Sequence, residues 1–377
     1  MFKKKLKLDY GIIITVILFA IISIITISSA LTYLSPTLGN LALKQAMWYA
    51  VGIILVIIII KLKNKFLYRN AWLFYFVLNL LLLFLLLFAP EINNSKCWFV
   101  IPGIGSFQPS EFMKIGLMLV LATMITTFRE KKKSPSLKDE GLFLLKSLLI
   151  VIIPSILTFL EPDTGAVIIY FIIYFIMMFA SGIRIRWFVI LALLIVAVLG
   201  FIGGTYFFNE ELFINLFGND LYYRLERIFE WQTGSGLQLE NAIASIGSAG
   251  LFGHGYNQTP LYFPESGTDF IFAVYASNFG LIGALVLLLL IAFFDGKLIH
   301  LATKKINQTD KFVLAGIIGV LIFQQVQNIG MTIGLLPITG ITLPFISYGG
   351  SSLLSYMIMI GIILNIQVED DKPYKLS

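Results

Sequence analysis

The sequence contains very few of the residues that build disulfides and metal centres. Its 377 residues include one cysteine, Cys97, and two histidines, His254 and His300. A single cysteine excludes a disulfide within the chain, and two histidines so far apart in sequence do not suggest a metal cluster. Charged residues make up only 13% of the chain, whereas 58% of its residues are hydrophobic. This composition excludes an ordinary soluble domain and is typical of a protein that crosses a membrane several times.

Long apolar runs fill most of the chain. A membrane-spanning helix needs ~20 mostly apolar residues, and lipid offers no partner to the unpaired edge of a strand. The runs therefore predict an all-α polytopic membrane protein, with about ten transmembrane helices in a single integral membrane domain over residues 1–377. The predicted spans are 10–34, 43–60, 71–89, 110–128, 142–160, 164–181, 187–208, 268–294, 311–333 and 348–367.

Basic residues are distributed unevenly between the predicted loops. Most of the 27 Lys and Arg lie in loops on one side, and the positive-inside rule makes that side cytoplasmic. Both termini are therefore predicted to be cytoplasmic. The net charge of +6 mostly reflects this topology, and we expect no nucleic-acid partner. The basic residues predicted on the outer side are Lys44, Lys96, Lys114, Arg224 and Arg227.

The longest predicted outer segment is the extracytoplasmic loop 209–268, between the seventh and eighth spans. Loops of this length are usually functional. Arg224 and Arg227 lie one turn apart in a short amphipathic helix predicted at 221–231, and such a pair suits a phosphate or a carboxylate. Pairing with acidic residues of the same loop, or contact with lipid headgroups, explains the two arginines equally well.

An acidic side chain, Asp269, lies where this loop meets the eighth span, in the segment PESGTDFIFAV at 264–274. A carboxylate inside hydrocarbon is costly. At the end of a span it therefore caps the helix, pairs with a cation or takes part in chemistry.

A second outer segment, residues 90–114, contains a tryptophan and two possible ligands for a substrate. Trp98 suits either an anchor at the membrane interface or a ring that stacks on a sugar. Glu111 and Lys114 are one helical turn apart, which predicts either an ion pair or a direct ligand role for Lys114. Lys96 lies further out in the same segment.

A third outer segment, EPDTG at 161–165, carries two carboxylates and no base. Asp163 can cap the helix that is predicted to begin at Thr164. Alternatively, Glu161 and Asp163 can bind a cation together, and oxygen ligands favour Mg or Mn. The segment leaves both interpretations open.

The chain resembles the SEDS family of bacterial membrane proteins, of the RodA, FtsW and SpoVE type. The resemblance runs along nearly the whole chain and is carried by IPGIGSFQPSEFMK at 101–114, EPDTG at 161–165, AIASIGSAGLFGHG at 242–255, PESGTDFIFAV at 264–274 and PITGITLPFISYGGSSLL at 337–354. It implies a peptidoglycan glycosyltransferase of the bacterial cytoplasmic membrane. Such an enzyme polymerises lipid II into a nascent glycan strand at the outer face, alongside a class B penicillin-binding protein that crosslinks the strands.

The resemblance also places the family's aspartate at Asp269. An inverting displacement of undecaprenyl pyrophosphate by a sugar hydroxyl needs a base, and Asp269 is the predicted one. A divalent cation, Mg or Mn, held by Glu161 and Asp163, is an alternative to basic side chains for neutralising the leaving group. The predicted substrate-binding residues are Lys96, Trp98, Glu111, Lys114, Arg224, Arg227, Glu265 and Thr268.

Some residues depart from the family pattern. Ser277 and Asn278 stand where the family commonly has two glutamates, so an inactive paralogue is one alternative. A flippase for a lipid-linked precursor and a scaffold for the penicillin-binding protein are two others. The short tail after the last span favours the RodA type slightly, while the sequence leaves elongation, division and sporulation open.

Overall fold

The computed structural model describes residues 9–30, 40–90, 96–101, 105–219, 221–223, 236–305 and 307–368. Apart from one short hairpin, its regular structure is helical. Strands β1 (Phe99–Ile101) and β2 (Gly105–Phe107) pair antiparallel. The helices are α1 Tyr10–Ala30, α2 Leu41–Leu62, α3 Asn64–Arg69, α4 Ala71–Phe88, α5 Pro109–Lys131, α6 Leu137–Leu160, α7 Thr164–Ala180, α8 Ile185–Phe208, α9 Glu210–Phe217, α10 Leu237–Ser248, α11 Ile271–Lys304, α12 Gln308–Thr332 and α13 Gly350–Val368.

The predicted all-α polytopic fold is confirmed. Within the described residues, nine helices are long and apolar enough to cross a membrane, and α7, with 17 residues, is a shorter apolar helix. Each of these helices falls on one of the predicted spans. The count of ten spans and the orientation of the termini stay predictions. Helix α11 continues to Lys304, past residue 294 where the eighth span is predicted to end.

Helices α5, α12 and α13 form the centre of the bundle. In an apolar stretch of 18 residues within each of these helices, 72%, 67% and 78% of the residues are buried, whereas none is buried in the corresponding stretch of α8. Helix α12 packs against α5, α7 and α11, and α13 packs along α2. Small residues allow this close approach: a side chain at Gly52 would overlap Met357, and one at Gly361 would overlap Ile59. The bundle therefore has a buried centre and a lipid-exposed periphery.

Helix α11 is broken at Gly280, where the backbone has φ 66° and ψ −166°. The segment after α10 supplies the hydrogen bonds that the break removes. The N–H groups of Leu281 and Ile282 donate to the carbonyls of Gly250 and Leu251, at 3.0 and 3.1 Å. In the other direction, the carbonyls of Ser277 and Asn278 accept hydrogen bonds from the backbone N–H groups of His254 and Gly255. Backbone groups must be paired inside a membrane, so this segment and α11 form one structural unit.

We expect Gly280→Ala to destabilise the protein by at least about 2 kcal/mol. A Cβ at Gly280 would lie 2.3 Å from the Gly253 nitrogen, and the positive φ is unfavourable for alanine. The midpoint of thermal unfolding of the purified protein measures the effect. Gly296→Ala, in the same helix with no heavy atom within 4 Å of the added carbon, is the matched control and should be neutral or stabilising. Equal midpoints for the two variants would contradict the packing described above.

Residues 236–270 pack against the start of α11. Helix α10 packs on α11, and Leu239 and Ala242 are buried with Phe263 and Phe270. Two polar side chains of α10 hold the following loop by its backbone. The amides of Gln238 and Asn241 donate to the carbonyls of Pro264 and Tyr262, at 2.9 and 2.8 Å. These contacts fix the turn that leads into Asp269.

Candidate active site

A cavity of about 600 Å³ lies at the end of the bundle where α5, α7, α11 and α13 begin and α6 ends. It collects residues from every outer segment that the sequence pointed to, apart from those outside the described part of the chain. The predicted site residues that line it are Trp98, Glu111, Asp163, Glu265, Thr268 and Asp269.

The carboxyl group of Asp269 has neither a hydrogen bond nor an ion pair with any residue that the structure describes. It does not cap α11 either, because the residue at the cap position is Phe270, and no side chain bonds the first turn. The cap and the ion pair were two of the three interpretations of this residue. The structure thus excludes the cap, and the described residues contain no ion pair of Asp269. A pairing with Arg224 or Arg227 lies outside the described residues, and the role in chemistry stays a prediction.

Burial gives Asp269 an unusual proton affinity. Loss of solvation, followed by the nearby charge of Glu265, raises the pKa of Asp269 to about 7. A carboxyl group with a pKa near neutrality can both accept and release a proton under working conditions. The environment of Asp269 therefore suits general base catalysis.

The turn that carries Asp269 is held from two sides. The Asn328 amide of α12 donates to the carbonyls of Asp269 and Ile341, both at 2.8 Å. On the other side, the Ser347 hydroxyl donates to the carbonyl of Thr268 at 2.6 Å. These bonds hold the backbone of the turn and do not involve the Asp269 carboxyl group.

Thr268 and Glu265 are joined to each other within the same turn. The Thr268 hydroxyl donates to a carboxylate oxygen of Glu265 at 2.5 Å. Glu265 is exposed and adopts a positive φ of 55°. The two side chains thus form one polar edge of the cavity beside Asp269.

Asp163 caps α7, as one interpretation of EPDTG predicts. Its Oδ1 accepts from the Ala166 N–H at 3.0 Å, while its Oδ2 accepts from the Gln108 amide at 2.9 Å and the Ser110 hydroxyl at 3.0 Å. Burial raises the pKa of Asp163. The residue therefore joins the first turns of α5 and α7.

Glu161 is oriented differently from Asp163. Its side chain is 1% exposed, does not line the cavity and leaves Oε1 without a hydrogen bond. Burial, and then the charge of Asp163, raises the pKa of Glu161 to about 8. Its backbone carbonyl accepts from the Cys97 thiol at 2.7 Å. Glu161 thus contributes to the packing behind the cavity.

These two carboxylates do not form a metal site by themselves. Both oxygens of Asp163 already accept hydrogen bonds, and the Glu161 carboxyl group lies outside the cavity. Within the described residues, no group of three or more His, Cys, Asp or Glu side chains is placed to share a metal ion. The predicted divalent cation held by Glu161 and Asp163, Mg or Mn, is not tested by this geometry and stays a prediction. Adding EDTA and then Mg²⁺ or Mn²⁺ to the reaction tests it.

Glu111 and Lys114 form the ion pair that their spacing predicts. The Lys114 ammonium lies 2.6 Å from Glu111 Oε2 and 5.0 Å from the centre of the Tyr356 ring. Lys114 is 1% exposed, whereas Glu111 is 14% exposed and lines the cavity. The carboxylate of Glu111 thus faces the cavity with the ammonium behind it. A direct ligand role for Lys114 stays a prediction.

The remaining predicted cations are Lys96, Arg224 and Arg227. Lys96 is partly buried and lies outside the cavity. Arg224 and Arg227 lie outside the described residues, and their roles stay predictions. Within the described chain, no Lys or Arg side chain lines this cavity.

One side of the cavity comes from residues that were not predicted as site residues. The segment at the start of α13 supplies backbone and small polar groups, and α12 adds Gln324, whose buried Oε1 has no hydrogen-bond partner among the described residues. The sequence pattern that could have indicated these residues is PITGITLPFISYGGSSLL, a polar and glycine-rich segment that leads into an apolar helix. Its members in the cavity are Thr339, Gly340, Ile341, Thr342, Tyr348, Gly349, Gly350, Ser351 and Ser352.

Comparison with known families gives a match over most of the chain. Residues 10–372 match the family of FtsW, RodA and SpoVE, described as cell cycle proteins. The chain belongs to this family. It is a multi-pass protein of the bacterial cytoplasmic membrane.

Relatives in the FtsW, RodA and SpoVE family are similar over most of their length. Stage V sporulation protein E of Bacillus subtilis is 35% identical over 285 residues, which cover 73% of this chain and 72% of the relative. The probable peptidoglycan glycosyltransferase FtsW of Coxiella burnetii is 35% identical over 312 residues, 78% of each chain. The probable FtsW of Bacillus subtilis is 31% identical over 381 residues, 98% of this chain and 93% of that one.

Solved structures of the family share the fold. The rod shape determining protein RodA of Thermus thermophilus has a TM-score of 0.69 and 26% identity, over 96% of this chain and 97% of that one. A chain from a study of polymerization and crosslinking by a peptidoglycan synthase complex has a TM-score of 0.78 and 26% identity, over 96% of this chain and 98% of that chain.

Proposed function

We propose that this protein is a peptidoglycan glycosyltransferase that polymerises lipid II at the outer face of the membrane, with Asp269 as the general base. The observation that carries the proposal is the Asp269 carboxyl group in a polar cavity, unpaired among the described residues, with a pKa raised to about 7 by burial and by Glu265. Relatives named as probable peptidoglycan glycosyltransferases support the reaction class.

The proposed step is a single displacement. The Asp269 carboxylate takes the proton from the C4 hydroxyl of one sugar, whose oxygen forms a bond to the anomeric carbon of the other. The bond from that carbon to undecaprenyl pyrophosphate breaks, and its electron pair leaves with the pyrophosphate. Attack from the opposite face inverts α to β. The carboxyl group must lie within hydrogen-bond reach of the attacking hydroxyl.

The rest of the cavity suits the sugars of this substrate. Hydroxyl groups of Thr339, Thr342, Ser351 and Ser352 line it, and hydroxyls can both donate and accept hydrogen bonds to sugar hydroxyls. Trp98 provides an aromatic surface at the same cavity. Because the pyrophosphate needs positive charge, we assign that role to Arg224 and Arg227, with Lys96 further out, or to a cation bound to the substrate.

A class B penicillin-binding protein is the proposed partner. Support comes from the structural similarity to a chain of a peptidoglycan synthase complex in which polymerization and crosslinking are coordinated. The membrane-embedded site also explains how a donor with a long polyprenyl chain reaches the cavity.

Incubating the purified protein and its partner with labelled lipid II tests the proposal. Glycan polymer, resolved by gel electrophoresis, is the expected product. Movement of lipid II between leaflets without any polymer would support a flippase instead. Polymer that forms equally well when the chain is omitted would make it a scaffold.

The pH dependence of polymerisation provides a second test. Only the ionised carboxylate accepts a proton, so we expect the rate to rise with pH through an apparent pKa near 7 and to fall to about one tenth at pH 6. Folding raises the pKa of the Asp269 carboxyl group above its unfolded value, so the contribution of this group to stability is lost as the pH rises. The free energy of unfolding should therefore fall over the pH range in which the rate rises. Initial rates at lipid II concentrations well below KM, which report the groups of the free enzyme, measure the pH profile from about pH 5.5 to about 8.5. A flat profile would contradict the base role.

A further inference from the structure

A second large cavity, of about 540 Å³, lies at the opposite end of the bundle between the start of α4, the end of α5 and the start of α6. Helix α5 connects the two cavities, with Glu111 at one and Lys131 at the other, ~30 Å apart along the helix. The basic residues that line the second cavity are Arg69, Lys131, Lys132 and Lys146. This end of the bundle is the one that the charge distribution predicts to be cytoplasmic.

The positive charge of this cavity is only partly neutralised. Lys132 pairs with Asp139 at 3.1 Å, and Asp139 is the one acidic residue among the lining residues. Arg69, Lys131 and Lys146 have no carboxylate within ion-pair distance among the described residues. Three exposed cations around one concave site attract an anion, and a phosphate accepts bonds from several of them at once.

The surface next to the cations is apolar and faces outward. Trp72 and Leu142 line the cavity and are 41% and 50% exposed. From there, exposed side chains continue along both helices towards the middle of the bundle, with Leu73 and Phe76 on α4 and Leu145 on α6. Helices α4 and α6 are neighbours, so these faces form one continuous apolar surface.

Cations at the ends of spans, above an apolar surface between two helices, match the two parts of a phospholipid. Basic pockets between transmembrane helices are typical sites for anionic lipid headgroups. A free phosphate would use the cations and leave the apolar surface unused. The volume lies within the range of small-molecule sites.

We propose that this cavity binds an anionic phospholipid. The phosphate lies among Arg69, Lys131 and Lys146, and the acyl chains lie along the exposed faces of α4 and α6. Trp72 lies at the level of the glycerol, where tryptophan is favoured at membrane interfaces. The site is separate from the proposed glycosyl-transfer cavity and does not depend on its activity.

Native mass spectrometry of the delipidated full-length protein, titrated with phosphatidylglycerol, tests the proposal. Each basic side chain near a membrane surface contributes a factor of about five to binding. Replacing Arg69, Lys131 and Lys146 together with glutamine should therefore weaken binding about 100-fold. The matched control replaces Lys61, Lys63 and Lys65, three exposed lysines near the same end of the bundle that do not line the cavity, and should leave binding unchanged.

Other ligands test which part of the phospholipid the site recognises. Phosphatidylcholine should bind the wild-type protein at least about tenfold more weakly than phosphatidylglycerol, because its headgroup carries no net charge. Inorganic phosphate and glycerol phosphate should fail to displace bound phosphatidylglycerol. Displacement by either would mean that the site takes a free phosphate. Equal losses in the two triple variants would overturn the site itself. An unchanged midpoint of thermal unfolding shows that each variant is folded.

Discussion

Asp269→Asn is expected to slow polymerisation of lipid II by at least about 100-fold. A positioned general base contributes a factor of about 100 to 10,000 to a rate, and asparagine cannot accept the proton. Asparagine has the same shape, and Asp269 makes no side-chain hydrogen bond within the described residues that would be lost. The variant should therefore fold normally, with an unfolding midpoint at or above that of the wild type. Initial rates of polymer formation at saturating lipid II measure the effect.

Asp295→Asn is the matched control for this experiment. Asp295 lies in α11, the helix that Asp269 precedes, and accepts a hydrogen bond from the Gln325 amide at 3.3 Å. It does not line the cavity, so the rate should be unchanged. Retention of more than half of the wild-type rate by Asp269→Asn would show that the carboxylate is not the base. A similar loss in both variants would point to a general effect on the fold.

Lys114→Met is expected to destabilise the protein by about 3 kcal/mol, because it leaves Glu111 partly buried without its cation. The ion pair of 2.6 Å is shielded from solvent, with Lys114 at 1% exposure. Replacing both residues, with Lys114→Met and Glu111→Gln, should restore most of that stability, since no uncompensated charge is left. A double-mutant cycle of thermal unfolding midpoints gives the coupling between the two side chains.

The control for this cycle is an ion pair that solvent screens. Lys132 and Asp139 lie 3.1 Å apart, with side chains 52% and 31% exposed. Lys132→Met should therefore cost less than about 1 kcal/mol. If the loss of stability in the double variant equals the sum of the losses in the two single variants, Glu111 and Lys114 are not coupled. If it is stable but inactive, the two residues act on the substrate as well as on each other.

The helices and the local pairs could be predicted because their causes are close in sequence. Apolar length alone locates the spans. The cap of α7 by Asp163 and the pair of Glu111 with Lys114 each depend on residues within one turn. Such interactions follow from spacing, whatever the rest of the chain does.

The features that sequence reasoning missed depend on distant segments. The break of α11 at Gly280 requires the backbone around Gly250 to replace the lost hydrogen bonds. Glu161 lies outside the cavity, whereas Asp163, two residues later, lines it and accepts hydrogen bonds from Gln108 and Ser110. Each of these needs tertiary packing that one sequence does not reveal.

The most direct test of the account compares lipid II binding with lipid II turnover in Asp269→Asn. If Asp269 is the base, the variant should bind labelled lipid II with an affinity within about threefold of the wild type while forming polymer at least about 100-fold more slowly. Loss of an interaction made only in the transition state leaves ground-state binding intact. A loss of affinity as large as the loss of rate would make Asp269 a binding residue and would contradict the account.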